Sequence, residues 1–138
     1  MINQTIYITD YDLKRLRVLL AMAKNWPESD TELIDRLESR LDSANVISQK
    51  GAPTYLVTMN CHLRVTDLNE KKDMDFWLVY PDEASFGKDK VSVISNMGIA
   101  ILGTKVGDTV ECVDKNKKKL LRIARIYYQP EENKHYRL

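Results

Sequence analysis

The chain has 138 residues, of which 43% are hydrophobic and 30% charged, which suits one ordinary domain with a buried core, or one small domain plus an appendage. Its 21 basic and 20 acidic residues leave a formal net charge of +1. This near balance argues against free nucleic acid as the main partner, because phosphate binding usually requires a basic excess.

The first quarter of the chain predicts a helix after a short extended lead-in at residues 1–9. Helical spacing starts after Asp10, a candidate N-cap residue. Proline disfavours helix in the residue before it, so the pattern ends just before Pro27. The apolar positions follow a 3-4-3 rhythm that puts them on one helix face: Leu13, Leu16, Leu20 and Ala23.

A second helix is predicted from Ser29, which has the capping-box spacing to Glu32. Its apolar positions repeat the same rhythm: Ile34, Leu37, Leu41 and Ala44. Two helices of about 14 residues, each with one apolar seam, predict a short antiparallel coiled-coil hairpin over residues 1–47. Each arm of this hairpin would be roughly 20 Å long.

Residues 48–53 are the predicted linker, and residues 54–138 the second domain. Period-two alternation predicts the first strand at 57–66, and further strands are expected at 74–80, 90–94, 109–113 and 120–128. Residues 96–102 suit a short helix closed by Gly103. A basic run is expected to form a solvated hairpin loop: Lys115, Lys117, Lys118 and Lys119. The fold class is therefore α+β, a helical hairpin followed by a small antiparallel sheet with one short helix.

The remaining residue types indicate no metal or cofactor. Cys61 and Cys112 form no CxxC pair, and His62 and His135 stand at no zinc-ligand spacing from them, so we expect two reduced thiols. Residues 1–10 lack the basic and apolar segments of a leader, and no run approaches the roughly 20 apolar residues of a membrane span. The expected location is the cytoplasm.

Three stretches resemble a known family. The main one is 91–108, a short strand, a serine-containing loop, a small helix and a G-x-x-x-G-D segment. This order resembles the C-terminal domain of the GreA/GreB transcription elongation factors. The head of the sheet (57–60 and 78–81) and the tail at 128–131, with Tyr136 and Leu138, resemble the short-armed Rnk branch of that family, named for regulation of nucleoside diphosphate kinase.

The resemblance implies an FKBP-like sheet domain that binds bacterial RNA polymerase at the rim of its secondary channel. The contact loop would be Ser95, Asn96, Met97 and Gly98. Ser95 or Asn96 is also a candidate N-cap for the helix that follows. Two positions depart from the Gre pattern, since Asn96 replaces a usual proline and Ile99 a common arginine.

The predicted tip of the helical hairpin carries Trp26, Glu28 and Asp30. In Gre factors, acids at the tip of a long coiled coil help to hold a metal ion that promotes transcript cleavage. Glu28 and Asp30 could act in this way, or they could simply cap the second helix and favour its dipole. Trp26 could anchor a partner or fold back between the helix ends.

The leading hypothesis is a monomeric, non-enzymatic protein that occupies the polymerase site without cleaving RNA and competes with Gre factors. It would meet nucleic acid only through the polymerase complex. The alternatives left open are a short-armed cleavage factor, a prolyl isomerase suggested by the FKBP-like fold, and an adaptor that alters nucleoside diphosphate kinase levels. The isomerase is disfavoured because a fold does not carry a function with it.

Overall fold

The computed structural model describes residues 5–137, so the first four residues of the predicted lead-in at 1–9 and Leu138 lie outside the described residues. Three α-helices and seven strands are present in this range. In chain order they are β1 Tyr7–Thr9, α1 Asp10–Ala23, α2 Thr31–Asp42, β2 Asn45–Ile47, β3 Cys61–Asp67, β4 Lys72–Val79, β5 Lys90–Ser92, α3 Asn96–Ile101, β6 Thr109–Asp114 and β7 Lys117–Tyr128. No helix between residues 5 and 137 combines the length and apolar character needed to cross a bilayer.

Both long helices begin one position away from the caps expected from the sequence. The N-cap of α1 is Thr9 rather than Asp10, and its hydroxyl accepts a hydrogen bond from the Asp12 backbone N–H at 3.1 Å. The N-cap of α2 is Asp30 rather than Ser29, and its carboxylate accepts from the Leu33 N–H at 3.2 Å. Thr9 and Asp30 are the N-cap residues because each has the extended backbone conformation that an N-cap requires.

Two ion pairs join α1 and α2. Arg17 pairs with Asp42 at 2.7 Å, and Lys24 pairs with Glu38 at 2.8 Å. Because later residues of α1 meet earlier residues of α2, the two helices run in opposite directions. We call α1 and α2 the helix pair.

The main sheet has the strand order β5-β4-β3-β7-β6. Neighbouring strands in it are antiparallel, except that β5 pairs in parallel with β4. The expectation of a wholly antiparallel sheet is therefore wrong. Residues 80–89, which include a 3-10 turn at Ala84–Phe86, connect the two strands and return the chain so that β5 runs in the same direction as β4. A separate two-stranded parallel sheet joins β1 and β2.

The strand expected from residue 57 begins only at Cys61. Asn60 has a φ of 61°, a left-handed conformation that turns the chain out of the strand direction. The segment before it is buried but pairs elsewhere. Val57 donates its N–H to the Thr104 carbonyl at 2.8 Å and accepts from the Gly103 N–H at 3.0 Å.

Of the basic run expected to form a hairpin loop, only Lys115 lies in the turn. Lys115 and Asn116 both have positive φ, as a two-residue type I′ hairpin turn requires. Lys117 to Lys119 belong to β7 and pair with β6. The backbone twist of a type I′ turn matches the twist of the strands that it joins, so both strands continue up to the turn. Lys117 to Lys119 therefore pair within the sheet.

The helix pair and the main sheet share one hydrophobic core. One buried cluster contains both the apolar seams of the helix pair and the inward side chains of the sheet. The seam residues in it include Leu16, Leu20, Ile34, Leu37 and Leu41. These sheet residues include Leu63, Val65, Leu78, Val110, Leu121 and Ile123. The helix pair therefore lies against the sheet along its apolar seam.

Candidate functional site

The loop that precedes α3 is held by a single hydroxyl group. Ser95 is the N-cap of α3, one of the two residues predicted for this role, and its Oγ accepts from the Gly98 N–H at 3.0 Å. The same hydroxyl donates to the Ser92 carbonyl at 2.6 Å. The hydroxyl thus ties the end of β5 to the first turn of α3, which fixes the direction in which the helix leaves the strand.

Asn96 bridges two further elements. Its side-chain oxygen accepts from an Arg36 guanidinium N–H of α2 at 2.7 Å. Its amide nitrogen lies 3.5 Å from a carboxylate oxygen of Asp114, at the end of β6. The residue that replaces the proline of the Gre pattern is therefore used inside the molecule, as a link between the helix pair, α3 and the β6–β7 hairpin.

Met97 and Gly98 lie in the first turn of α3 and complete the segment 95–98. Gly98 is buried, and a Cβ at this position would lie 2.3 Å from the Ser92 carbonyl oxygen and 2.9 Å from Val93 Cα. Only glycine fits this close approach of two backbone segments. Met97 is partly buried and packs against the core. The four predicted contact residues thus form the N-cap and first turn of α3, with Ser95 to Met97 partly exposed and Gly98 buried.

The residues of the turn between α1 and α2 lie beside this loop. Trp26 is 40% exposed, and Glu28 is exposed. Asp30 lines a hollow of about 230 Å³ with Trp26 and Ile94, and a second hollow of about 200 Å³ with Asn96. The structure therefore brings the two sequence-predicted sites together, although about 65 residues separate them along the chain.

The acids of this turn act differently from each other. The Asp30 carboxylate is the N-cap of α2. Of the two roles that the sequence left open for the tip acids, metal binding and helix capping, this is the second. Within residues 5–137, no group of three or more histidine, cysteine, aspartate or glutamate side chains is arranged to hold a metal ion. Glu28 is thus an exposed carboxylate beside a capped helix.

Both cysteines are buried and unpaired. Burial raises the pKa of the Cys61 thiol to about 12 and also raises the pKa of Cys112. A thiol with a raised pKa carries little thiolate, the reactive form. The two cysteines therefore behave as core residues.

A buried polar cluster links α1, the start of the sheet and the tail, and the sequence pattern did not reveal it. One carboxylate oxygen of Asp12 accepts from the Met59 N–H at 3.1 Å, and Glu131 accepts from the Thr58 hydroxyl at 2.8 Å. Burial raises the pKa of Asp12 to about 7, against the lowering effect of the Met59 hydrogen bond. Burial also raises the pKa of Glu131.

The tail motif that resembles the Rnk branch has a structural role. The Gln129 side chain is buried and donates to the Pro53 carbonyl at 2.7 Å and to the Leu56 carbonyl at 2.8 Å. With the Glu131–Thr58 hydrogen bond, it fastens the tail over the segment that leads into β3. These three hydrogen bonds join residues more than 70 positions apart.

Comparison with known proteins identifies the family to which the chain belongs. Residues 52–128 match the C-terminal family of the transcription elongation factors GreA and GreB. The chain belongs to the GreA/GreB family, which confirms the resemblance seen in the sequence.

Particular relatives refine this placement. The chain is 30% identical over 132 residues to the Regulator of nucleoside diphosphate kinase of Escherichia coli strain K12, covering 95% of each chain. It is 33% identical over 106 residues to the Transcription elongation factor GreA of Alkaliphilus oremlandii, covering 75% of this chain and 67% of the other.

A solved structure supports the fold as well. The prokaryotic transcription elongation factor GreA/GreB from Nitrosomonas europaea superposes with a TM-score of 0.70 at 28% identity. The match covers 91% of this chain and all of the other. The mixed helix-and-sheet fold predicted from the sequence is therefore the fold of a GreA/GreB protein.

Proposed function

We propose that this chain is a non-enzymatic transcription regulator that docks on bacterial RNA polymerase at the rim of the secondary channel and competes with Gre factors. Membership of the GreA/GreB family supports the polymerase as partner. The observation that carries the docking surface is the loop of Ser95 to Gly98, held by the Ser95 cap and by the Arg36–Asn96 hydrogen bond. A loop that is ordered before binding loses little conformational entropy on docking.

The finer architecture belongs to the same proposal. The helix pair would be a short antiparallel coiled-coil hairpin, which its two interhelical ion pairs support. The main sheet with α3 would be an FKBP-like domain. The protein would act as a cytoplasmic monomer.

The length and position of the helix pair support the proposal that the protein does not cleave transcripts. Its helices have 14 and 12 residues, so each is roughly 20 Å long. Their seam packs against the sheet. The Asp30 carboxylate caps α2, whereas Glu28 lies before the cap; both side chains are exposed.

The docking proposal is tested by retention of the full chain on immobilised core polymerase, with GreA added as competitor. We expect retention at micromolar concentration and its loss as GreA is raised. Asn96→Arg should weaken retention by about tenfold or more, because it breaks the bridge and places a large side chain on the contact surface. Thr54→Arg, at an exposed turn residue, is the control and should be retained normally.

Failure of the unmodified chain to bind, or binding that GreA does not displace, would refute the docking proposal. The same preparation added to stalled transcription complexes should produce no shortened RNA. Cleavage that disappears in both Glu28→Gln and Asp30→Asn would instead favour the second candidate, a short-armed cleavage factor, which the exposure of Glu28 permits.

A further inference from the structure

A cleft on the outer face of the main sheet combines aromatic rings with unpaired cations. It has a volume of about 500 Å³, within the range of small-ligand sites. Two aromatic side chains, Trp77 of β4 and Tyr128 of β7, line it together with three cationic ones, Arg15 of α1, Lys90 of β5 and Arg137 of the tail. The cleft shares no residue with the loop at 95–98.

The three cations converge from three separate parts of the chain. In residues 5–137, the ion pairs found involve other basic residues, so Arg15, Lys90 and Arg137 have no carboxylate within 4.0 Å. Glu83 also lines the cleft but pairs with none of them. Unpaired cations grouped around a concave surface attract an anionic ligand, and phosphate is a common one.

Arg15 is held in place before any ligand binds. Its guanidinium lies over the Tyr80 ring, 4.5 Å from the centroid, and 5.2 Å from the centroid of Tyr11. Its Nη1 is buried without a hydrogen-bond acceptor among the described atoms. The residue whose guanidinium is held in this way also lines the cleft.

The aromatic wall is ordered too. Trp77 stacks on His62 with 4.5 Å between ring centroids and 4° between ring planes. Tyr128 lies 5.6 Å from Trp77 at 50°. Aromatic rings presented on the face of a sheet are platforms on which nucleic-acid bases stack.

We propose that this cleft binds a nucleoside phosphate, with the base against Trp77 and Tyr128 and the phosphates among Arg15, Lys90 and Arg137. The ligand could be a free nucleotide or one end of a single-stranded RNA, since both present the same chemistry. The cleft and the segment 95–98 share no residue, so nucleotide binding can be measured without the polymerase.

Quenching of Trp77 fluorescence tests the site. The full chain carrying Trp26→Phe retains Trp77 as its one tryptophan, and it is titrated with ATP, GTP, adenosine and a five-nucleotide RNA. We expect saturable quenching by a nucleoside triphosphate or by the RNA, with half-saturation below about 1 mM. Adenosine should bind at least about tenfold more weakly, since it lacks the phosphates.

Two double variants distinguish binding in the cleft from nonspecific electrostatic attraction of the anionic ligand. Lys90→Ala with Arg137→Ala should raise the dissociation constant about tenfold or more. Lys117→Ala with Lys118→Ala removes the same charge from exposed positions outside the cleft and should change it less than about twofold. Tighter binding of the RNA than of the nucleotides would assign RNA as the ligand, and the reverse would assign a free nucleotide.

Several outcomes would overturn the proposal: no saturable binding of nucleotide or RNA up to about 10 mM, equal weakening in the two double variants, or adenosine bound as well as ATP. A measurement on the unmodified chain guards against variants that unfold. The indole N–H resonance of Trp77 should shift on titration with ATP, and shifts confined to residues outside the cleft would also refute the site.

Discussion

Among single residues, Asp12 is the least expected from the sequence. It stands in the first turn of α1, where an acid normally faces solvent and favours the helix dipole. Instead it is 2% exposed and accepts from the Met59 N–H. The apolar rhythm of α1 gave no sign of this, because the position is buried by the incoming segment before β3 and by the tail.

The raised pKa of Asp12 makes stability depend on pH in a defined direction. The folded-state pKa is about 7, above the unfolded value of about 4. Between these values the unfolded chain releases the proton first, so the contribution of Asp12 to stability is fully present below about pH 4 and is lost as pH rises to about 7. Glu131, whose pKa is also raised, acts in the same direction.

Asp12→Asn keeps an oxygen acceptor for Met59 but cannot ionise. We expect the unfolding free energy of the unmodified chain to fall, relative to this variant, by about 3 kcal/mol between pH 5 and pH 8. Urea denaturation at both pH values measures it. Asp82→Asn, at an exposed carboxylate, is the control. Parallel pH profiles for Asp12→Asn and the unmodified chain would contradict the prediction.

In the segment 95–98, the sequence predicted the role of Ser95 but not the partners of Asn96. Ser95 was identified as a candidate cap because a short side-chain oxygen before a helix has a local role. The partners of Asn96 were not identified, because Arg36 lies 60 positions away along the chain. The cleft residues Arg15, Lys90 and Arg137 were missed for the same reason.

At the scale of elements, α2 stabilises the end of α3 through one side chain. The Arg40 guanidinium donates to the Ala100 carbonyl at 3.0 Å and to the Leu102 carbonyl at 3.2 Å. These carbonyls lie at the C-terminal end of α3, where helix carbonyls lack partners within the helix. Partial burial lowers the pKa of Arg40 to about 10, and it remains protonated at neutral pH.

We expect Arg40→Ala to reduce the unfolding free energy by about 1–3 kcal/mol, because it leaves half-buried carbonyls without donors. Arg17→Ala is the matched control, since Arg17 makes an exposed ion pair with Asp42. Exposed pairs contribute about 1 kcal/mol or less. Equal losses in the two variants, measured by urea denaturation at neutral pH, would show that Arg40 is an ordinary surface residue.

At the scale of the whole molecule, the core is continuous from the helix pair to the sheet. The division into domains 1–47 and 54–138 remains a prediction, and cooperative unfolding tests it. A common core predicts one transition, since neither part buries its apolar surface without the other. A helical arm standing free of the sheet would lose its structure separately.

We therefore expect far-ultraviolet circular dichroism and Trp77 fluorescence to report the same urea midpoint in the Trp26→Phe chain. The first signal follows mainly the helix pair, and the second follows β4 of the main sheet. A helical signal that falls at clearly lower urea than the Trp77 signal would contradict a shared core and support two separate domains.

The sequence by itself determined the features that depend on neighbours within a few positions. These are the seams of α1 and α2, the alternation of the long strands, the cap at Ser95 and the segment at 91–108 that identifies the family. Each is a local period or a local hydrogen bond, so the order of residue types is sufficient to predict it.

Only the tertiary structure decided which distant residues meet. The parallel pairing of β5, the burial of Asp12, the bridge from Arg36 to Asn96 and the cleft at Trp77 all join segments far apart in the chain. Such contacts arise from how the helix pair, the sheet and the tail pack around one core, and no periodicity in the sequence encodes that packing.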